Sequence, residues 1–273
     1  MAILPQPTTT APRSKPTRRS TSRGRMYDVE TANGDLVALP SVTTILGVVG
    51  KPALVNWAAQ TTKKEVIGVA ADLYSSIAEG KPLSKANFAL TLDDWLGKSR
   101  AHEKELARAG NIGTQLHKHI EWTLRRELGQ KVPKQPAISK EAMNAFAAWV
   151  KWRENVNLEP IHIEQEVYSL EYGFAGTLDL YARVDGKLSV LDWKSGKAIY
   201  PEAYLQNAAY RCAFEEMKHG DVERGYIVRL PKTKVEDPKP EAVYIDNGEY
   251  LKHLSTFLNA MKLWNFIDQM NNR

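Results

Sequence analysis

The feature that most constrains the fold is the dipeptide Asp185-Gly186, which lies between two apolar and β-branched runs, GTLDLYARV and KLSVLDWK. An Asp-Gly pair in this setting is the strongest short-range signal for a two-residue hairpin turn. Counting outward from that turn brings Asp179 opposite Asp192. The Cβ atoms of directly facing residues lie about 4.5–5.5 Å apart. The sequence therefore predicts two facing carboxylates on one hairpin.

Facing carboxylates destabilise a sheet unless a positive charge lies between them. Lys194 lies two residues beyond Asp192 and shares its face by strand alternation. The opposite face is predicted to be apolar, with Leu178, Leu180, Ala182, Val184, Leu191 and Trp193. Hard divalent ions such as Mg²⁺ and Mn²⁺ prefer carboxylate oxygens, so one interpretation is a metal site with Lys194 beside it. The other is a pair of surface aspartates that Lys194 neutralises, and the hairpin alone does not decide between them.

Two predicted helices carry polar pairs at a spacing of four residues, which places each pair on one helix face. His117 and Glu121 form such a pair on a helix predicted over 113–128. They suit a metal ligand with a second acidic group, or a solvated polar face. Gln206 and Tyr210 form the other pair, on a helix predicted over 201–219. They suit contacts to a nucleic-acid backbone and base, or a half-buried helix face.

The pattern along the chain predicts an α/β protein whose helical first half precedes a β-β-β-α-β-β core. Residues 1–25 are rich in Ser, Thr and Pro, contain six basic residues and no acid, and are expected to form a disordered basic tail. A solubilising extension, a phosphate-attracting arm and an organelle transit peptide all fit that composition. Residues 26–273 are expected to form a single domain, with 40–130 mainly helical and 160–246 providing the sheet.

Composition excludes several classes of protein. One cysteine, Cys212, rules out a disulfide framework and a four-cysteine zinc or iron–sulfur site within the chain. Apolar runs fall short of the roughly 18 residues that cross a bilayer. We therefore expect a cytoplasmic protein without a membrane partner, while the basic tail leaves organelle targeting open.

Five segments in chain order, GTQLHKHIE, IEQEVYS, GFAGTLDL, VLDWKSGK and LQNAAYR, resemble the motifs of the PD-(D/E)XK nuclease superfamily. They look most like its RecB-type exonuclease branch, which includes phage exonucleases. The segment LPSVTTILGVVGKPALVNWA is also similar to the N-terminal part of such phage enzymes. The resemblance spans roughly residues 40–215. It implies a restriction-endonuclease-like core, in which helices flank a central mixed sheet.

The resemblance also assigns roles to individual residues. It implies metal ligands at His117, Asp179, Asp192 and the Trp193 carbonyl, a catalytic role for Lys194, Asp179 and Asp192, and a supporting or second-metal acid at Glu166. Gln206 and Tyr210 match a QxxxY motif that positions DNA. Glu121 matches a commonly acidic position near the substrate.

The function implied is an Mg²⁺- or Mn²⁺-dependent DNA exonuclease acting in phage or cellular recombination, repair or replication. DNA with a single-stranded end is the expected substrate, and recombination or replication proteins are the expected partners. Some relatives hold an iron–sulfur cluster through four cysteines, which this chain lacks. A structure-specific endonuclease or junction resolvase, and a catalytically silent DNA-binding recombination scaffold, remain alternatives.

Overall fold

A computed structural model describes residues 15–50, 52–80, 84–98, 101–233 and 239–271. The chain divides into two compact units. The first unit comprises Met1–Val49 and Ile112–Arg273, and the second is Gly50–Asn111. No side chain described in the second unit is fully buried. The candidate site lies entirely within the first unit.

A small antiparallel sheet precedes the helices. Its strands, in spatial order, are β1 (Thr17–Thr21), β2 (Gly24–Glu30) and β3 (Leu36–Pro40). The turn at Asn33-Gly34 connects β2 to β3, and Gly34 has a φ of +88°. The sheet overlaps the expected disordered tail, since residues 17–21 and 24–25 are strands, while residues 1–14 lie outside the described residues. Pairing of β1 with β2, whose Tyr27 and Val29 are buried, supplies the stabilisation that the tail composition lacks.

Helices occupy much of the remaining chain. Those of the described residues are α1 (Val42–Ile45), a short 3-10 helix (Leu46–Val48), α2 (Pro52–Ala78), α3 (Lys85–Lys98), α4 (Ala101–Glu127), α5 (Lys140–Arg153), α6 (Pro201–Glu216) and α7 (Asn247–Asn271). The helix predicted over 113–128 is the second half of α4, which begins at Ala101 and continues through Gly110 and Asn111. A helical glycine costs only about 1 kcal/mol relative to alanine. Burial of Leu116, Ile120 and Leu124 on the same helix offsets that cost.

The central sheet has five strands: β4 (Leu158–Ser169), β5 (Phe174–Val184), β6 (Lys187–Lys194), β7 (Arg224–Arg229) and β8 (Glu241–Ile245). Their spatial order is β4-β5-β6-β7-β8. All neighbours are antiparallel except β6 and β7, which are parallel and are joined through α6. This mixed sheet flanked by helices confirms the restriction-endonuclease-like fold class. None of the helices in the described ranges combines the length and apolar character needed to cross a bilayer.

Two apolar clusters hold the sheet between its helices. Leu205 and Phe214 of α6 and Phe257 of α7 pack with Tyr181 and Val190 of the sheet. A second cluster joins α4 and α5 to strand residues; it includes Leu116, Ile120, Trp149, Trp152, Leu180, Leu191 and Trp193. The sheet is therefore covered by different helices on its two faces, and the hairpin of β5 and β6 lies between them.

Candidate active site

The predicted register of the hairpin is confirmed from the turn as far as Leu180 and Leu191. Pairing runs from Val184 opposite Lys187 to Leu180 opposite Leu191, with positive φ at Asp185 and Gly186. Backbone pairing of β5 with β6 ends there. Ser41 instead bridges Ala175, further along β5. We call the space where β5 and β6 diverge the fork, and both aspartates lie at its entrance.

Asp179 leaves the regular alternation of its strand. Leu178 packs in the cluster on the α6 side, whereas Leu180 packs in the cluster on the α4 and α5 side. The prediction that Leu178 shares a face with Leu180 was therefore wrong, because the strand changes phase at Asp179. The Asp179 Oδ2 atom accepts a hydrogen bond of 2.7 Å from the backbone N–H of Trp193. A side chain thus replaces the next backbone contact of the ladder.

His117 of α4 contacts two of the predicted ligands. Its Nδ1 lies 3.2 Å from Asp179 Oδ1, and its Nε2 lies 3.1 Å from the Trp193 carbonyl oxygen. Burial disfavours the imidazolium, but the carboxylates of Asp179 and Glu164 outweigh it and raise the His117 pKa to about 9. Each ring nitrogen of His117 therefore lies beside an oxygen of another candidate ligand. The helix, β5 and β6 are therefore connected at one point.

Glu164 of β4 is the functional candidate that sequence reasoning missed. Ligand atoms of His117, Glu164 and Asp179 all lie within 4.8 Å of one another. Burial, with the Asp179 charge, raises the Glu164 pKa to about 8. Glu166, the predicted acid, pairs with Thr177 instead and lies outside this group. Glu164 and Glu166 are two residues apart and would share one face of a regular strand, so the sequence did not indicate which of them reaches the site.

Glu164 adopts a left-handed backbone with a φ of 49°, which is uncommon for a residue other than glycine. Arg125 Nη2 donates a 3.1 Å hydrogen bond to the carbonyl of Ile163, the preceding residue. Glu121, predicted near the substrate, accepts a 2.8 Å bond from Arg125 Nε. Glu121 thus acts on the arginine that ties α4 to the strand beside Glu164.

Asp192 lies on the α6 side of the fork and is 1% exposed. Lys194 Nζ lies 2.5 Å from its Oδ2, as an ion pair rather than an aligned hydrogen bond. Gln206 of α6 donates from Nε2 to Asp192 Oδ1 at 3.1 Å and accepts from Lys194 Nζ at 3.0 Å. Burial raises the Asp192 pKa to about 6, with Asp179 adding to the rise and Lys194 opposing it. The Gln206 amide therefore fixes the acid and the ammonium relative to each other.

Tyr210 supports that amide from one helical turn away. Gln206 Nε2 also donates to the Tyr210 hydroxyl at 3.1 Å, and Tyr210 is 4% exposed. Its ring lies against Gly176 of β5, where an added Cβ would be 2.4 Å from Tyr210 Cε1. Burial and the neighbouring Asp192 charge hold the Tyr210 pKa well above its ordinary value. Gln206 and Tyr210, the predicted pair, thus form hydrogen bonds that hold Lys194 and Asp192 in position.

The donor set suits a hard divalent cation. Carboxylates and a backbone carbonyl are the ligands that Mg²⁺ and Mn²⁺ prefer, and an imidazole is compatible with Mn²⁺. The structure brings together His117, Asp179 and the Trp193 carbonyl, with Glu164 added. Asp192 is not within the 4.8 Å group, although its pKa responds to Asp179. In Asp179, burial opposes the charged form, but His117 and Lys194 hold the pKa below its ordinary value.

Comparison with known proteins agrees with this arrangement. A model of the PD-(D/E)XK nuclease superfamily matches residues 85–272, more than half of the 273-residue chain. The matched range contains every candidate site residue from His117 to Tyr210. A search of curated proteins found no match.

Proposed function

The chain belongs to the PD-(D/E)XK nuclease superfamily, and on that basis we propose that it is a divalent-metal-dependent deoxyribonuclease that digests DNA from an end. One observation carries the proposal. Three potential ligands, His117, Glu164 and Asp179, converge beside an ion pair of Lys194 with a buried aspartate. Acids at a cation site next to a fixed ammonium fit phosphodiester hydrolysis, in which negative charge develops on phosphorus oxygens.

We assign the metal to Asp179, Glu164, His117 and the Trp193 carbonyl, with Asp192 completing the set. A divalent cation at such a site neutralises charge on the phosphoryl group and makes water a stronger nucleophile. Mg²⁺ and Mn²⁺ are the ions proposed. Glu166 stays a prediction as a supporting acid, since its strand position lies two residues from Glu164.

Lys194 is the proposed catalytic lysine. Its side chain is 27% exposed, so the ammonium reaches solvent while its Nζ stays held by Asp192 and Gln206. A fixed positive charge at that position orients the attacking water and stabilises the phosphoryl oxygens without reorganisation during the reaction. Gln206 and Tyr210 keep the ammonium in place, and through it act on the substrate phosphate.

Digestion from an end, rather than internal cutting, rests on the similarity of the five motifs to the RecB-type branch. The same similarity supports DNA with a single-stranded end as substrate, and a role in recombination, repair or replication alongside proteins of those processes. It also supports a cytoplasmic site of action.

The test uses linear DNA labelled at its 5′ or 3′ end, together with circular single-stranded DNA, in Mg²⁺ or Mn²⁺. We expect labelled mononucleotides or short products from linear DNA and intact circles. Cleavage of the circles would show that the protein is an endonuclease rather than an exonuclease. DNA binding without cleavage would support a catalytically silent scaffold.

A pair of lysine variants tests the site itself. Lys194→Ala should abolish cleavage while its thermal unfolding stays close to that of the wild type. The matched control is Lys197→Ala, because Lys197 is exposed on the loop that follows β6. Metal-dependent turnover retained in purified Lys194→Ala would exclude the proposed mechanism.

A further inference from the structure

The small N-terminal sheet presents a basic edge. Residues 15–25 contain five basic side chains and no acid. Two of the five are neutralised by neighbours: Arg19 pairs with Asp28 at 2.7 Å, and Arg23 pairs with Asp268. Arg18 and Arg25 are exposed and have no acidic partner among the described residues. We call β1 and β2 together the basic ribbon.

Strand register assigns these arginines to one face of the ribbon. Arg18 lies directly opposite Tyr27, and Ser20 lies directly opposite Arg25. Facing residues share a face, and Arg25 and Tyr27 share one by alternation. Arg19 and its partner Asp28 occupy the other face. The two unneutralised arginines therefore flank Tyr27 on the same side.

Tyr27 connects that face to the fork. Its hydroxyl lies 2.9 Å from Thr177 Oγ1, and Thr177 is two residues before Asp179 on β5. Tyr27 is 1% exposed and packs with Ala175. Because β1 is the outer strand of the small sheet, Arg18 is exposed at the edge of the face on which Tyr27 is buried. Two exposed arginines thus lie on the small sheet whose Tyr27 contacts the strand that carries the candidate metal ligand.

The distance from the basic ribbon to the candidate metal ligand Asp179 corresponds to the length of a few nucleotides. Arg18 and Tyr27 lie on neighbouring strands about 4.8 Å apart, and Thr177 and Asp179 are about 6.6 Å apart along β5. The Tyr27 side chain with its 2.9 Å contact to Thr177 adds roughly 9 Å, so the path from Arg18 to Asp179 is on the order of 20 Å. A stacked nucleic-acid strand advances about 3.4 Å per nucleotide. The ribbon would meet the strand about six nucleotides from the bond being cut.

We propose that Arg18 and Arg25 bind the phosphodiester backbone of the DNA substrate and guide one strand toward the fork. The proposal rests on the proposed nuclease function for its choice of polyanion. It adds a binding surface outside the predicted motifs. The contact is with phosphates, so it is independent of base sequence and weakens with salt.

The experiment measures binding separately from cleavage. Fluorescence anisotropy of a fluorescein-labelled single-stranded oligonucleotide in EDTA, over a range of NaCl concentrations, gives the Kd and its salt dependence. For Arg18→Gln and for Arg25→Gln we expect about threefold weaker binding at moderate salt and a salt slope lower by about 0.7. Arg18→Lys should retain most of the affinity because it keeps the charge.

Arg19→Gln is the matched control, because Arg19 is the next residue on the same strand but faces away and is already paired. It should bind DNA like the wild type. Wild-type affinity and salt slope in both Arg18→Gln and Arg25→Gln would overturn the proposal. So would an equal loss in Arg19→Gln, since general charge rather than one face would then bind. Thermal unfolding of each variant confirms that the ribbon is still folded.

Cleavage kinetics separate this proposal from the nuclease proposal. On long DNA, Arg18→Gln should raise KM and leave kcat unchanged, and on oligonucleotides shorter than about six nucleotides its KM should equal that of the wild type. A KM difference that persists on the shortest substrates contradicts the ribbon path. A wild-type protein that binds DNA through these arginines but never cleaves it refutes the nuclease and leaves the ribbon supported.

Discussion

Replacing Gly176 with alanine should disable the site through a steric chain that the structure specifies. The new Cβ would lie 2.4 Å from Tyr210 Cε1 and 3.2 Å from Cδ1 and Cζ, where ordinary contacts begin at 3.4 Å. The ring or the strand must therefore shift by about 1 Å. The Tyr210 hydroxyl accepts from Gln206, whose amide holds Lys194 and Asp192. A shift of the Tyr210 ring would therefore displace Gln206 and, with it, the ion pair of Lys194 and Asp192.

Two magnitudes follow from this geometry. Overpacking of this kind costs about 1–3 kcal/mol of the free energy of unfolding, which a domain of this size tolerates. A catalytic group misplaced by about 1 Å loses on the order of 100-fold in rate. We expect kcat on labelled DNA to fall by about that factor while the protein stays folded. Thermal or urea unfolding of the same sample measures the stability loss.

A second substitution distinguishes steric strain from loss of the hydroxyl. Gly176→Ala combined with Tyr210→Leu should recover stability, because the smaller side chain leaves room for the Cβ. It should not recover activity, because Gln206 has lost its hydroxyl partner. Gly68→Ala is the control, since nothing lies within 4 Å of the added Cβ on α2. Full activity in Gly176→Ala would refute the argument that Tyr210 positions the site.

Three further predictions concern stability, pH and metal. Gly225→Ala places a Cβ 2.0 Å from Asn207 Oδ1 and displaces a side chain whose Nδ2 bonds two strand carbonyls at 3.2 Å, so the free energy of unfolding in urea should fall by about 3–5 kcal/mol. Burial and the neighbouring His162 lower the His219 pKa, so the unfolded chain binds the proton more tightly. Stability should decrease as pH falls below about 6.5, less steeply in His219→Gln; equal slopes in the two proteins would contradict this. EDTA should stop cleavage of labelled DNA while leaving anisotropy-measured DNA binding in place, and cleavage that continues after chelation would exclude a metal-dependent reaction.

The parts of the structure that depend on short-range chemistry could be predicted from the sequence. The Asp185-Gly186 turn fixed the pairing from Val184 outward, because a two-residue loop permits one register. The helix predicted over 201–219 and the succession of three strands, a helix and two strands also followed from periodicity. The predicted pairing of Asp179 with Asp192 was wrong: the ladder ends at Leu180 and Leu191, and Ser41, more than a hundred residues earlier in the chain, bridges β5 at Ala175.

The candidate site divides in the same way. His117, Asp179, Asp192, Lys194, Gln206 and Tyr210 were identified from spacing and motif similarity, and the structure gathers them around the fork. Glu164 was missed because both acids of the EQE triplet share a face in a regular strand, so alternation does not indicate which of them reaches the site. The change of phase at Asp179 and the contact of Arg125 with Ile163 decide between them, and both are tertiary features.

The ordering of β1 has the same origin. Basic, serine-rich composition predicts a disordered tail when a segment is considered alone. The strand forms because β2 offers it a paired edge and because Arg19 finds Asp28 across the ladder. Its stability therefore comes from residues that no local window contains.

The fork explains how one hairpin tolerates two buried aspartates. Each acid has its own cation on its own side of the sheet: His117 of α4 for Asp179, and Lys194 for Asp192. The Trp193 peptide connects the two sides, since its N–H bonds Asp179 and its carbonyl contacts His117. The Trp193 indole packs edge-on against Trp149 and Trp152, which fixes the peptide. Apolar packing of the Trp193 indole therefore helps to fix the peptide that bonds Asp179, contacts His117 and follows Asp192 in the chain.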